Sequence, residues 1–484
     1  MLRQGGGKAT ELEFVSVDEL VPADHLLRKI ERAVDFSFIR GKVAGLYCAD
    51  NGRPAIDPVV LFKMLLIGYL FAIRSERQLM RDIEVNVAYR WFLGLTLKEK
   101  VPDSSTLSQN RRRRFQESTI YQEIFDEIVL LAMKRRLVDG KVLYTDSTHL
   151  KANANKHRFQ REIVQKSTRR YLDELDVAIA EDRLEHGKMP LDGEPSEPDV
   201  KDVKISTTDP DSGYMVREGK PKGFFYLDHR TVDGAHNIIT DSFVTPASVH
   251  DSIPYLERLD RQRERFNLPI EAVGLDAGYD TAAICKGLED RKIFGVIGRW
   301  RPPHRKGFFF KRDFKYYRKP DHYLCPAGQV LRYTTTNRLG FREYKSDGDL
   351  CAHCPLLEMC TQSAIHVKVI TRHVWERSKE RIDKHRLLQR GRVIYQQRKQ
   401  TIERSFADAK ELHGHRYAKM RGLRKVQEQS LLCAVCQNLK ILALWAGRSF
   451  EKRRVGLWPA IFSFLRPIAC PAPLRVRPSP DLHG

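Results

Sequence analysis

The sequence predicts an α/β (α+β) protein of several domains, and three observations predict this class. The chain has 484 residues, a length that corresponds to about three domains. Helical patterns dominate as far as residue 117, whereas short β-rich segments bounded by turn residues follow from residue 141. Residues 392–416 are again strongly helical in composition. We therefore expect helical and sheet-containing parts joined in one chain.

The first part is a helical N-terminal domain, predicted at residues 15–135 after a Gly-rich segment, residues 1–14, that we expect to be disordered. Capping residues ahead of apolar runs indicate where its helices begin. These start signals are Asp57 with Pro58 ahead of VVLFKMLLIGYLFAI, and the capping-box pair Ser75 and Gln78.

A run of four arginines follows in PDSSTLSQNRRRRF, residues 102–115. One interpretation is a solvated basic helix end. The other is a helix that contacts DNA, as in helix-turn-helix modules. Adjacent residues point around the whole helix, so the pattern leaves both open. The candidate DNA-binding residues are Arg111, Arg112, Arg113 and Arg114.

The second part, residues 136–298, changes to β periodicity. Predicted strands lie in KVLYTDS from residue 141, GFFYLDHRTVD (223–233), NIITDSFVTP (237–246), IEAVGLDAG (270–278) and KIFGVIG (292–298). Residues 181–211 interrupt them with ten acidic and four basic residues, rich in Pro and Gly. We expect this stretch to be a solvated linker or flexible excursion.

The overall charge is strongly basic. Lys and Arg number 84 against 62 Asp and Glu, which gives +22 and a sequence pI near 9.6. Such an excess indicates a polyanionic partner, either nucleic acid or an anionic membrane surface. The apolar stretches at 65–73 and 431–447 are too short or too polar to span a bilayer. No cleavable signal opens the chain, so we expect a cytoplasmic protein without a membrane partner.

The basic residues concentrate in two stretches. Residues 291–320 hold eleven Lys or Arg against one Asp, interleaved with aromatic rings, and residues 371–430 hold seventeen against seven acids. Cations alternating with aromatics suit a nucleic-acid groove, where charges hold phosphates and rings stack on bases. The alternative is an exposed twisted hairpin whose rings pack on their neighbours.

Two aspartates close predicted buried strands. Asp146 follows KVLYT, and Asp276 follows VGL and precedes a tight turn at Gly278. Two such strands can place their carboxylates side by side at one sheet edge, which is costly unless a positive group lies between them. A divalent cation suits this role, and hard oxygen ligands select Mg²⁺ or Mn²⁺.

A third acid is offered by the helical block at residues 392–416. On a regular helix Glu403 shares one face with Lys410, and Lys399 lies near it four residues earlier. Alone, these would be surface pairs. Together with Asp146 and Asp276, however, Glu403 completes the carboxylate triad that two-metal phosphodiester chemistry requires.

These motifs resemble those of DDE transposases of bacterial insertion sequences, in the group marked by a Tyr, Arg, Glu, Lys signature. YTDST and GLDAGYD match the family's first and second Asp motifs. The N-terminal region is similar in DHLLRKI, GRPAIDP, SERQL and PDSSTLS, so the resemblance covers roughly residues 15–445. On the last helix the matching residues are Tyr395, Arg398, Glu403 and Lys410.

One spacing departs from the family pattern. Four residues separate Arg398 from Glu403 where three are usual, and Lys399 has the usual spacing. On a regular helix Lys399, rather than Arg398, would share the side of Glu403.

The resemblance implies an RNase H-like catalytic domain, with a mixed sheet flanked by helices. It implies that Asp146, Asp276 and Glu403 hold two Mg²⁺ (or Mn²⁺) ions, while Lys410 and Arg398 or Lys399 grip phosphates. The implied function is binding of terminal inverted repeats in double-stranded DNA, strand cleavage and strand transfer. A homodimer on DNA in the bacterial nucleoid is implied as well.

The 127 positions between Asp276 and Glu403 predict an insertion domain at residues 299–375, followed by catalytic helices at 376–447 and a basic, Pro-rich, disordered tail at 448–484. The insertion holds four cysteines whose irregular spacing can still form a thiolate site for structural Zn²⁺. The candidate ligands are Cys325, Cys351, Cys354 and Cys360, with His322 and His353 as substitutes.

Two other functions share these features. A metal-dependent nuclease without strand transfer would use the same acids. A zinc-containing DNA-binding regulator would keep only an inactive catalytic fold, although the intact acids count against it.

Overall fold

We describe a computed structural model of the chain, which covers residues 14–48, 55–165, 169–191, 200–216, 219, 222–299 and 306–462. The expected disorder of the N-terminus falls on residues that lie almost entirely outside these ranges.

Eight helices form the N-terminal part, and their starts follow the predicted capping residues. The Asp57 carboxylate accepts the Val59 N–H at 2.9 Å with Pro58 in the first turn. Ser75 accepts the Gln78 N–H, but the Gln78 side chain donates to Asp82, so only half of the predicted capping box forms. The helices are α1 (Val17–Leu20), α2 (Leu26–Ala33), α3 (Phe38–Val43), α4 (Pro58–Leu70), α5 (Glu76–Val85), α6 (Val87–Leu93), α7 (Ser104–Asn110) and α8 (Ile120–Lys134).

Within the described residues the strands form three sheets, of six, five and two strands. The strands are β1 (Val142–Lys151), β2 (Phe159–Gln165), β3 (Val200–Ser206), β4 (Gly213–Met215), β5 (Gly223–Asp233), β6 (Ile239–Pro246), β7 (Ala272–Leu275), β8 (Phe294–Ile297), β9 (Lys315–Tyr317), β10 (His322–Leu324), β11 (Val330–Thr336), β12 (Phe341–Lys345) and β13 (Val369–His373).

The six-stranded sheet is mixed, with the order β4-β5-β1-β7-β8 and with β6 paired to β5. Strand β1 runs antiparallel to β5 and parallel to β7, which in turn runs parallel to β8. A parallel pair needs a crossover connection. Between β7 and β8 this crossover is a helix. The helices after β1 are α9 (Arg169–Glu185), α10 (Tyr255–Phe266), α11 (Ala282–Asp290), α12 (Gly348–Ala352), α13 (Leu357–Cys360), α14 (Glu376–His385), α15 (Gln389–Gln397), α16 (Ile402–Leu412) and α17 (Leu423–Phe462).

One hydrophobic core continues from the N-terminal helices into the six-stranded sheet. It joins Ile30 of α2 and Leu66 of α4 to Val273 of β7 and Leu439 of α17. Residues Leu423–Gly447 are long and apolar enough to cross a membrane, but 67% of the qualifying window is buried within the protein. Because α17 packs against α2, α4, α8 and β6, it serves here as the central core helix.

Two segments expected to be irregular are ordered where the structure describes them. Residues 181–211 include the end of α9 and all of β3, which pairs with β2. The acidic Asp182 is buried and accepts from Arg342 Nε at 2.7 Å and from the Thr336 hydroxyl. This acid of the predicted linker is therefore partnered by Arg342 and Thr336. Helix α17 also runs on to Phe462, into the predicted disordered tail, while residues 463–484 lie outside the described ranges.

Between β8 and α14, where the insertion is predicted, the described residues form a five-stranded antiparallel sheet, ordered β13-β12-β11-β10-β9. Its core contains Phe314 with Tyr316 packed against it, so these two rings of the basic stretch pack on neighbours, and the buried Phe314 offers no face to a base. Tyr317 is 43% exposed and stacks on His322. Trp300 lies outside the described residues.

Candidate active site

The two predicted strand-end aspartates meet at one edge of the mixed sheet. The parallel pairing of β1 with β7 ends at Thr145 opposite Leu275, so Asp146 and Asp276 each follow the last paired position. Asp276 does end its strand. Asp146 does not, because β1 continues to Lys151 by pairing with β5. The carboxylates are neighbours because the parallel partner stops there, although β1 itself continues.

Negative charge is concentrated around Asp146. The pKa of its carboxyl is raised to about 7, mainly by burial and also by the charge of Asp276, while the Arg398 charge opposes both. Arg398 Nη2 donates to Asp146 Oδ2 at 2.7 Å, and the Ser147 N–H donates to Oδ1 at 2.8 Å. The site thus holds more carboxylate charge than its one arginine balances.

A third carboxylate, Asp251, was missed by the sequence analysis. It accepts the Ser147 hydroxyl at 2.8 Å. A Cβ placed on Gly278 would lie 3.1 Å from Asp276 Oδ1 and 3.8 Å from Asp251 Oδ2, so both carboxylates border the same point. The sequence did contain a signal for Asp251, because this aspartate lies in the polar loop just after β6, a third strand that ends on this side of the sheet.

The helix that carries the signature residues is broken, and the break decides which cation reaches the acids. Helix α15 ends at Gln397, residues Arg398–Gln400 form a 3₁₀ turn, and Thr401 leaves helical geometry with φ −108° and ψ −93° before α16 begins. Arg398 is consequently buried against Asp146, while Lys399 is exposed. The helix is therefore not regular at this point, and Arg398 rather than Lys399 contacts Asp146.

Tyr395 also reaches the acid pair. A Cβ on Gly298, which follows β8, would lie 2.8 Å from both Tyr395 Oη and the Ala277 nitrogen. The tyrosine hydroxyl therefore lies beside the backbone that follows Asp276, in a space that only glycine leaves open. The Arg398 guanidinium lies 5.6 Å from the Tyr395 ring centroid.

Glu403 is less closely connected to the site than Asp146 and Asp276 are. It lies in the first turn of α16, which packs on β1 and β5, but its side chain is exposed and makes no hydrogen bond or ion pair within the described residues. Lys410 is half-buried two turns further along the helix. Over the described ranges, no three His, Cys, Asp or Glu side chains are placed so that they could hold a metal ion.

The donor chemistry of the acid pair nevertheless fits a divalent ion. Asp146 and Asp276 offer adjacent hard oxygen ligands in a partly buried place with excess negative charge. Because α16 carries Glu403 on its exposed side, the third acid is the member of the predicted triad that stands apart.

A buried polar network fixes α16 to the sheet. Arg230 and Asp228 of β5 are fully buried, with Arg230 Nε donating to Asp228 Oδ2 at 2.8 Å. Arg230 Nη1 donates to Gln437 of α17 at 2.7 Å, and the Gln437 amide donates to the Ser405 carbonyl of α16 at 2.8 Å. His415 Nε2 completes the network 2.8 Å from Asp228. The helix that carries Glu403 is thereby tied to the strand beside Asp146.

The four arginines after α7 have different environments. Arg111 is mostly buried and pairs with Glu76 and Glu428 at 2.5 and 2.7 Å, so it is not an exposed DNA contact. Arg114 bonds Asn110 and lies over the Tyr47 ring. Arg112 and Arg113 are exposed. The interpretation as a DNA-contacting helix face therefore survives only for these two.

The four insertion cysteines do come together. They line one cavity of about 20 Å³, and burial raises the pKa of the Cys360 thiol, which also feels the other three cysteines. The Gln329 N–H donates to Cys325 Sγ at 3.2 Å. The four sulfurs fit zinc by donor type, although their placement is not that of a closed metal site. The four ligand candidates are Cys325, Cys351, Cys354 and Cys360.

Comparison with known proteins gives two family matches and distant structural neighbours. The families are "Transposase domain (DUF772)" at residues 15–113 and "Transposase DDE domain" at residues 324–443. No curated protein matches the chain. Solved structures that match include "Crystal structure of the Mos1 mariner paired end complex with Mn", at 13% identity and TM-score 0.16, covering 57% of this chain and 66% of that chain.

A second match is "Mos1 transposase paired-end complex with left transposon end", also at 13% identity and TM-score 0.16, covering 53% of this chain and 62% of that one. The chain thus spans less than two thirds of the length of these neighbours, and TM-scores this low add no argument. Along the sequence, one family match lies before the strands of the mixed sheet and the other lies after them. These two matches support a DDE transposase of the insertion-sequence type.

Proposed function

We propose that this protein binds the terminal inverted repeats of its element as double-stranded DNA, and that it cleaves and joins DNA strands at the Asp146 edge of the sheet. The observation that carries the proposal is the partly buried pair Asp146 and Asp276 with Arg398 bonded to Asp146. The strand order, with β1 between an antiparallel and a parallel partner, supports an RNase H-like fold. A homodimer in the bacterial cytoplasm, on the nucleoid, belongs to the same proposal.

In this mechanism Asp146, Asp276 and Glu403 would hold two divalent ions, Mg²⁺ or Mn²⁺. Two such ions, when bound, supply activation of a water or 3′-hydroxyl and stabilisation of the leaving oxygen. Arg398 keeps Asp146 oriented and offers its charge to the phosphate. Tyr395 on α15 and Lys410 on α16 are the further candidates for binding the phosphate. The polar network through Gln437 holds α16 in position while DNA binds.

Strand transfer separates this function from that of a nuclease. A duplex carrying a pre-cut 3′ end of the element is incubated with plasmid and Mg²⁺, and joined products are sequenced. Covalent joining of the end to the plasmid is the expected result. Hydrolysis without joining would support the nuclease, and DNA binding without either reaction would support the regulator.

The two candidate signature cations are expected to differ sharply in importance. Arg398→Ala should slow cleavage roughly 10- to 100-fold, because it removes a charge-assisted hydrogen bond of about 1.5–3 kcal/mol next to the acids. Lys399→Ala should change the rate less than about threefold, since Lys399 is exposed and Arg398 holds the acid. Single-turnover cleavage rates measure both, and Arg398→Lys tests whether charge alone suffices. A larger loss in Lys399→Ala would mean that the helix is regular when DNA is bound.

We also propose that Cys325, Cys351, Cys354 and Cys360 bind one structural Zn²⁺ in the insertion domain. Metal analysis of purified protein should then find about one zinc per chain. Cys351→Ser should lose the zinc and lower the unfolding temperature, because metal binding and local folding are coupled. Cys48→Ser, an exposed cysteine outside the insertion, is the matched control. Zinc-free wild-type protein with a fully stable Cys351→Ser variant would leave these cysteines as packing residues.

A further inference from the structure

A large basic cleft lies between the N-terminal helices and the start of α17. Its volume is about 1050 Å³, and its walls come from α4, α5, α7, α8 and the first two turns of α17. Eight Lys or Arg residues line it against three acids, Glu76, Asp103 and Glu428, an excess of five positive charges. The eight are Arg74, Arg77, Arg111, Arg112, Arg261, Lys419, Arg424 and Lys425.

The acids of this cleft are already committed inside the protein. Glu76 and Glu428 both pair with Arg111, and Asp103 caps α7 by accepting the Ser105 N–H at 2.7 Å. Lys419 donates to the Ile73 carbonyl at 2.9 Å. The buried part of the cleft is therefore nearly neutral.

The remaining cations form no ion pair within the described residues, and most of them are exposed. Arg77 and Arg112 are exposed on two of the walls and make no ion pair within the described part of the chain. Arg74, Arg261 and Lys425 also make no ion pair within these described residues. Burial and the nearby charges of Arg258 and Arg265 lower the pKa of Arg261, and the charges of Asp241 and Asp126 oppose this only in part. So many unpaired cations around one opening repel one another and favour a polyanion.

The aromatic residues of the cleft indicate which part of a nucleic acid it fits. Tyr69, Phe115 and Tyr121 are at most 7% exposed, so none offers a free ring on which an unpaired base could stack. Exposed hydroxyl groups such as that of Ser108 lie among the cations. Arginines and hydroxyls are the usual partners of backbone phosphates, which position a duplex without reading its sequence.

We propose that this cleft binds the sugar–phosphate backbone of double-stranded DNA, as a positioning surface separate from the acid edge of the sheet. The proposal rests on the proposed function and deepens it by naming where duplex DNA is held. The proposal also changes which residue of the arginine run binds DNA. Arg112 lines the cleft and is available to a phosphate, whereas Arg111 is ion-paired with Glu428 in the floor of the cleft.

Salt dependence of duplex binding tests the cleft. The double variant Arg77→Gln/Arg112→Gln should lower the slope of log K against log salt concentration by about 1.8, since each lost phosphate contact removes about 0.9. The loss of affinity should be equal for element-end and random duplexes. The matched control is Lys134→Gln/Arg136→Gln, which removes two exposed charges at the opposite end of α8 and should leave the slope unchanged.

Binding is measured without divalent metal, so the result does not depend on cleavage. If the cleft variant has the same salt-dependence slope as the wild type, the proposal that the cleft binds duplex DNA is wrong, even if the wild-type protein joins DNA ends. A reduced slope in the cleft variant supports the proposal, even if the protein shows no strand transfer. Single-stranded DNA and anionic phospholipid vesicles serve as further probes. If the variant loses binding to either of these but keeps wild-type duplex binding, the proposal of a duplex site fails. Unchanged thermal unfolding confirms that both variants are folded.

Discussion

Asp146→Asn is expected to reduce strand cleavage at the element ends by roughly 10³-fold or more, while duplex binding stays within a few-fold of wild type. The substitution keeps the shape of the side chain and removes a ligand charge that stabilises the transition state by several kcal/mol. Asp276→Asn should behave alike, because its carboxylate lies beside that of Asp146. Cleavage of labelled end duplexes in Mg²⁺ measures both.

Metal binding provides a second measurement for the same variants. Titration with Mn²⁺ should show weaker binding in Asp146→Asn and Asp276→Asn, and wild-type binding in Asp290→Asn, whose exposed side chain pairs with Lys286. Glu403→Gln decides whether the exposed third acid joins the site. If it cuts like wild type, Glu403 is not a ligand, and Asp251 becomes the candidate third acid. Near wild-type cleavage by Asp146→Asn would remove Asp146 from the catalytic site altogether.

Arg230→Met is expected to destabilise the protein by about 3–5 kcal/mol, the usual cost of leaving one partner of a buried ion pair uncompensated. Burial acts to raise the pKa of Asp228, but the Arg230 charge and the hydrogen bonds from His415 and Ser430 together outweigh it and hold the pKa below its usual range. Without Arg230, the carboxylate stays buried with too little positive charge nearby. Thermal and urea unfolding measure the loss.

A double replacement distinguishes the missing charge from lost packing. Asp228→Leu/Arg230→Met should be more stable than Arg230→Met alone, because apolar residues remove both buried charges. Lys286→Met, which breaks an exposed pair with Asp290, should cost less than about 1 kcal/mol. An Arg230→Met protein that unfolds at the wild-type temperature would mean that the network does not secure α16.

The sequence by itself determined the elements and the first two acids of the site. Short β-rich segments bounded by turn residues predicted β1, β5, β6, β7 and β8, and the aspartates after KVLYT and VGL were found from local pattern alone. Capping residues likewise predicted the starts of α4 and α5. These features depend on neighbours within a few residues along the chain, so they can be read without knowing the fold.

Only the tertiary structure decided which distant groups meet. Arg398, and not Lys399, reaches Asp146 across 252 positions, because the helix breaks at Thr401 and rotates the preceding turn. Asp251 joins the site through Ser147, 104 positions away. Asp182 is ordered by Arg342, although its surroundings resemble a linker. In each case the stabilising partner is remote in sequence, and a local pattern contains no information about a charge that folding brings from elsewhere.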